Sequence, residues 1–189
     1  MVAIRILEYL DPEGRSPYAA WFEGLNAPAA VKIAAALYQL AAGNRSNLKA
    51  VGLGVFERKI DFGPGYRVYF GRDGESIVIL RGAMALTRDF KDTVVARAQR
   101  DPRFRELLFT EAINAYLGGD TAAGKAILRD LVNATVGFEE LAAELNKPSK
   151  SLHRMLAPRG NPSTENFFSI VSALQKKARV RLRVTAKAG

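Results

Sequence analysis

Apolar and polar positions change period three times along this chain, and the changes divide it. Residues 3–10 alternate well enough for a strand, and 11–14 form a turn-rich break. Helical spacing follows. Ser16 is the expected cap, Pro17 suits a first turn, and Tyr18, Trp21, Phe22 and Leu25 recur as a face that would pack on a sheet, with Trp21 read as core. Residues 27–42 hold Val31, Ile33, Ala34, Leu37, Tyr38 and Leu40 around Lys32, and Gly43-Asn44 ends this second helix of a hairpin. From Val55 the period becomes two. Residues 55–62, 66–70 and 76–80 read as three strands joined by Gly63-Pro64-Gly65 and Arg72-Asp73-Gly74, an antiparallel meander.

Helical spacing returns after Arg81 and persists. Thr87 is the expected cap of a junction helix with Phe90, Val94, Val95 and Ala98 on one face, ended by Asp101-Pro102. That face is expected to cover the meander, which needs an apolar lid. Phe104, Leu107, Leu108, Ala112, Ala115 and Tyr116 define the next helix, stopped by Gly118-Gly119. Asp120 caps another with Ile127, Leu128, Leu131 and Val132 inward. Residues 137–174 are the clearest motif. Phe138, Leu141, Ala142 and Leu145 line one short helix, Asn146-Lys147-Pro148 gives a turn, and Leu152, Met155 and Leu156 anchor a second: helix-turn-helix spacing, which plain bundles also use. A last helix, capped by Ser163, carries Phe167, Ile170, Val171 and Leu174. The tail from residue 178 alternates basic and apolar residues, and suits an edge strand, a dimer contact or a loose basic arm.

The expected class is therefore α+β: a helical hairpin on a small antiparallel sheet, followed by an all-α helix-turn-helix domain. The expected units are 1–83, a junction helix at 84–103, and 104–189 with its basic tail.

Charge changes the picture towards a polyanionic partner. The chain of 189 residues carries a formal net charge of +9, and both halves are basic: 14 Lys plus Arg against 10 Asp plus Glu up to residue 100, then 14 against 9. Nucleic acid is favoured over membrane, because no segment approaches the roughly 18 apolar residues of a spanning helix. With no cysteine and one histidine, neither a thiolate nucleophile nor a zinc site is expected, and no cofactor is implied. The N-terminus lacks the pattern of a signal peptide, so a cytoplasmic protein is expected.

On the meander, alternation places Glu57, Lys59 and Asp61 on one face and Phe56, Ile60 and Phe62 on the other, with Arg58 among them; Arg67 and Tyr69 oppose Tyr66, Val68 and Phe70. Lys59, Arg67 and Tyr69 thus share a surface, which could serve merely to solubilise the sheet. The order strand, helical hairpin, meander, with SPYAAWFEGL, KAVGLGVFERKIDFGPGYRVYFGRDG and SIVIL, resembles the RelE/ParE toxin superfamily and its HigB-like addiction module killers. The resemblance implies a ribosome-dependent, metal-independent mRNA endoribonuclease whose basic side chains neutralise the cleaved phosphate during attack by the ribose 2′-OH. Lys59 then matches an arginine of the family's Glu-Leu-Arg run, and Arg67 and Tyr69 match its Tyr-Arg-x-Tyr, as a vestigial site. Two departures stand out. Arg58 replaces a core leucine, and the family's glycine-rich turn, Lys and Gln segment and terminal helix are missing after Ala83.

From Met84 the run MALTRDFKDTVVARAQRDPRFRELL, with ILRDLVNATVGFEELAAEL, KSLHRML and GNPSTENFF, is similar to HigA-like addiction module antidotes. This implies an in-frame fusion, natural, engineered or made by frameshift, of a truncated toxin to a whole helix-turn-helix antitoxin. Ser149, Lys150, Ser151, His153 and Arg154 are expected to project from the second short helix towards base edges and phosphates, with Lys147 and Arg159 nearby. The expected partners are double-stranded DNA of its own operator, a second copy in a homodimer, and the ribosome with its mRNA through the toxin part. The main expectation is a DNA-binding autoregulator with a silenced toxin domain. A ribonuclease restrained by its own antitoxin and an inert remnant are the alternatives.

Overall fold

A computed structural model describes residues 4–79 and 87–182. Among these residues the chain is mixed α+β, with one six-stranded sheet and eight helices. No helix of the described residues is long and apolar enough to cross a membrane.

The first strand, β1 (Arg5–Tyr9), leads into α1 (Pro17–Glu23) and α2 (Ala27–Ala41). Ser16 and Asn26 cap these helices by accepting from the Ala19 and Ala29 amides, and each carries a proline in its first turn, where no N–H is needed. Strands β2 (Leu48–Gly52), β3 (Val55–Ile60), β4 (Tyr66–Asp73) and β5 (Ser76–Ile79) follow as an antiparallel series. The strand β6 (Thr87–Asp89) completes the order β2-β3-β4-β5-β1-β6, in which β1 runs parallel to β5 and antiparallel to β6.

The junction departs from expectation. Thr87 caps no helix but pairs with Tyr9 as part of β6; Asp89 is the cap of α3 (Phe90–Arg100), accepting from the Lys91 amide. Phe90, Val94 and Ala98 are buried as the spacing predicts, with Val95 partly so. They pack towards β1, β6, α4 (Pro102–Leu117) and α5 (Thr121–Ala134) rather than over the meander. The topology explains this, since β1 and β5 stand between β6 and β4. Helix α2 lies against β3 and β1 instead. Met84 and the expected boundary at 83/84 lie outside the described residues, as does the tail from residue 183; Val180 is buried and the Leu182 amide donates to Gln175 Oε1 at 2.9 Å.

One hydrophobic core runs from Ile6 and Phe22 through Phe104 and Leu128 to Leu174, so residues on both sides of the junction share it. Polar links cross the same seam, among them three from the helical hairpin to α3, α4 and α5. Tyr38 on α2 donates to Asp130 on α5 at 2.5 Å, and Lys32 on α2 reaches Glu111 on α4 at 2.7 Å. Arg97, 4% exposed, donates to the carbonyls of Phe22 and Leu25, the latter at 2.7 Å. Its guanidinium also lies over the rings of Phe22 (5.3 Å) and Phe104 (5.0 Å) and 3.4 Å from Asp101. A planar cation with five fixed donors suits this place between carbonyls and aromatic faces.

Helices α6 (Phe138–Leu145), α7 (Ser149–Met155) and α8 (Thr164–Ala178) are the last of the described elements, with α6 packed on α7, α8 and α5.

Candidate nucleic-acid interface

Two basic surfaces result. The first is the solvent face of β3 and β4, where the register sets Lys59 opposite Arg67 and Glu57 opposite Tyr69. Lys59, Arg67 and Tyr69 are exposed as the alternation predicts, while Ile60, Val68 and Phe70 are buried. Each cation has an acid beside it. Lys59 pairs with Asp61 at 2.6 Å and Arg67 with Glu57 at 3.4 Å. The Glu57 carboxylate also raises the Tyr69 phenol above its ordinary value, first through a side-chain hydrogen bond. A polar cleft of about 330 Å³ runs around the turn between the strands, lined by Lys59, Asp61, Tyr66, Arg67 and Gly63-Pro64-Gly65.

Arg58 points inward, yet its charge is not stranded. The residue is 4% exposed, and its guanidinium donates to the carbonyls of Asn44 (3.2 Å) and Ser46 and to Gln39 Oε1 (3.3 Å), with burial lowering its pKa. Trp21 corrects its sequence reading. It is 38% exposed rather than core, set edge-on to Tyr66 at 6.4 Å, because Tyr18 and Phe22 already fill the inner face of the short α1.

The second surface is built on α7. Phe138, Leu141 and Ala142 bury one face of α6, and Asn146 ends that helix in the left-handed conformation (φ 49), which asparagine tolerates. Pro148 then starts α7, whose Leu152 and following Leu156 are fully buried. Lys150, Arg154 and Arg159 are exposed; Lys147, Ser149 and Ser151 are partly buried. Among the described residues none of these cations makes an ion pair.

His153 does not project outward as expected. Its ring stacks on Phe138 at 3.7 Å, and Arg129 Nη2 approaches its Nδ1 at 3.1 Å, so the imidazole braces α7 on α6 and α5. One position past the buried Leu152, its side chain lies on the flank of α7 that turns back to α6, and the spacing of Leu152 and Leu156 hid that. Arg129 was not singled out from sequence; its own helix period marks it as flanking the inward Leu128 and Leu131, a weak signal.

The loop after α7 is fixed from below. Lys125, 4% exposed on α5, donates to the carbonyls of Pro158 (3.1 Å) and Gly160, and burial lowers its pKa. Gly160 passes so close to the end of α7 that a Cβ there would collide with the carbonyls of Arg154 and Met155. Among the described residues no group of His, Asp or Glu is clustered as a metal site.

Sequence comparison places the chain near a curated protein: it is 39% identical over 72 residues to an uncharacterized protein of Haemophilus influenzae, a match spanning 37% of this chain and 73% of that one. No family model and no solved structure matches the chain.

Proposed function

We propose that this chain, which belongs to the same family as the uncharacterized protein of Haemophilus influenzae, is a sequence-specific double-stranded-DNA-binding regulator. In this reading it is a toxin-antitoxin fusion, HigB-like then HigA-like, that acts through its antitoxin part on its own operator. The observation that carries the reading is α7. It follows a tight turn from α6, is pinned from beneath by Leu152 and Leu156, and leaves Lys150 and Arg154 exposed with no carboxylate against them among the described residues. A short helix held in this way can enter the major groove, with Arg154 specifying a base and Lys147 and Arg159 meeting phosphates. One short helix reads few base pairs, so the reading includes a symmetric homodimer on an inverted repeat.

The toxin-like sheet is silent in this account for two reasons. Its cations are already neutralised by Asp61 and Glu57, and phosphate stabilisation by prearranged cations leaves little tolerance for such pairing. It also shares a core with the C-terminal half, so nothing separates to release it. The exposed Lys59, Arg67 and Tyr69 favour the second reading, a ribosome-dependent endoribonuclease.

Fluorescence anisotropy with the duplex upstream of its own gene tests the proposal. The expected preference over random duplex at moderate salt is about 10³ or more. Equal affinity for both contradicts it, and codon-specific mRNA cleavage on ribosomes, abolished by Lys59→Ala or Arg67→Ala, favours the enzyme.

A further inference from the structure

A second cavity lies on the other side of the sheet, away from both basic surfaces. It measures about 200 Å³ and is lined by Leu40 at the end of α2, by Phe56, Phe70 and Ile77 on the inner strand faces, by Leu48 and Ala50 on β2 and by Ile4, with Arg45 and Arg72 completing it. The fold explains why space remains. Helix α2 stops at Ala41, so its cover ends with Leu40, and β2 brings Leu48 at its start and then only the methyl group of Ala50, next to a register shift against β3.

The lining is divided by chemistry. Leu40, Phe70 and Ile77 are buried, and Phe56 stacks on Phe70 with centroids 5.8 Å apart and planes at 16°. Arg45 and Arg72 are exposed, so the charge belongs to the solvent side of the cavity. Among the described residues neither guanidinium makes an ion pair, and Arg72 stands 5.9 Å over the Phe56 ring. Two guanidiniums bordering an apolar pocket, with no carboxylate between them, are complementary to an anion that carries an apolar body.

Volume limits that body. An apolar cavity of roughly 150 Å³ holds benzene, so about 200 Å³ takes one aromatic ring and its carboxylate but no drug-sized ligand. We propose that this cavity is a binding site for a small aromatic carboxylate, with the ring between Phe56, Phe70 and Ile77 and the carboxylate against Arg72 and Arg45. Burial of the ring supplies the affinity and the paired cations select the charge.

Benzoate is the probe, titrated by calorimetry or chemical-shift perturbation into the full chain. Saturable binding is expected, with perturbed signals from Phe56, Phe70 and Ile77. Arg45→Gln with Arg72→Gln, both at exposed positions, should weaken it about tenfold or more. Ala50→Leu, which fills the cavity from an exposed strand, should abolish it. Benzyl alcohol, with the same ring and no charge, should bind at least tenfold more weakly. Absence of saturation by benzoate overturns the proposal; so does equal binding of benzyl alcohol, or undiminished affinity in the double arginine variant.

Discussion

The sheet face and the α7 face carry the same kinds of residue under opposite local conditions. On the sheet, Lys59 and Arg67 sit directly across from one another, but Asp61 and Glu57 stand within ion-pair distance of them. On α7, Lys150 and Arg154 project from a helix whose inward residues are apolar, and among the described residues no acid stands within ion-pair distance of them. A formal charge of +9 therefore says less about partners than where the acids lie. A cation already facing a carboxylate must give up that pair to take a phosphate, whereas an unpaired one adds counterion release at once.

The comparison presumes that both faces belong to one body, and the largest predicted effect tests that. Arg97→Ala removes the cation held by the Phe22 and Leu25 carbonyls and by two aromatic rings, and touches no residue of either basic surface. It should cost about 3 kcal/mol, read as a lower midpoint of one urea transition. Two separate transitions in the parent chain would break the account of a shared core.

Arg154→Ala comes next. It should weaken binding to the cognate duplex by about 2 kcal/mol and relax preference at one base pair, measured by anisotropy with a set of single-pair variants. An unchanged preference would remove Arg154 from base readout.

A smaller effect sharpens the contrast from the other side. If Glu57 and Asp61 quench the sheet, then Glu57→Gln with Asp61→Asn should raise affinity for single-stranded RNA by about threefold to fivefold, the scale of exposed ion pairs. No change would mean that pairing is not what silences this face.

The last effect concerns the seam and depends on pH. Burial raises the Asp130 carboxyl above its ordinary value near 3.8, against the opposing Tyr38 hydrogen bond. Its folded pKa therefore exceeds the unfolded one. The associated stability is fully present below the unfolded value and is lost as pH rises through the raised folded value. Urea midpoints from acid to neutral pH should show this fall, and Asp130→Asn should flatten it.

Most of the regular structure could be read from residue patterns because local rules decided it. Ser16, Asp120 and Ser163 cap the helices they were expected to cap, and the alternation in β3 and β4 sorts inner from outer side chains correctly. Elements fixed by distant partners were not legible. Strand β2 has no alternation, being exposed or half-exposed throughout, and exists through its pairing with β3. The three-residue β6 is too short to show a period and exists through β1, which is why Thr87 looked like a cap. The exposure of Trp21 and the inward turn of His153 depend on which neighbours fill the space first, Phe22 in one case and Phe138 in the other. The acids that neutralise Lys59 and Arg67 were visible on the same face, but their distances were not.

Salt dependence compares the two surfaces most directly. Affinity for the duplex upstream of the gene should be measured across a range of salt for the parent chain, for Lys150→Ala with Arg154→Ala, and for Lys59→Ala with Arg67→Ala. The account predicts that the α7 pair flattens the slope of log K against log salt by roughly 0.9 for each phosphate no longer neutralised and removes sequence preference, while the sheet pair leaves both unchanged. A slope that falls only in the sheet variant would contradict it.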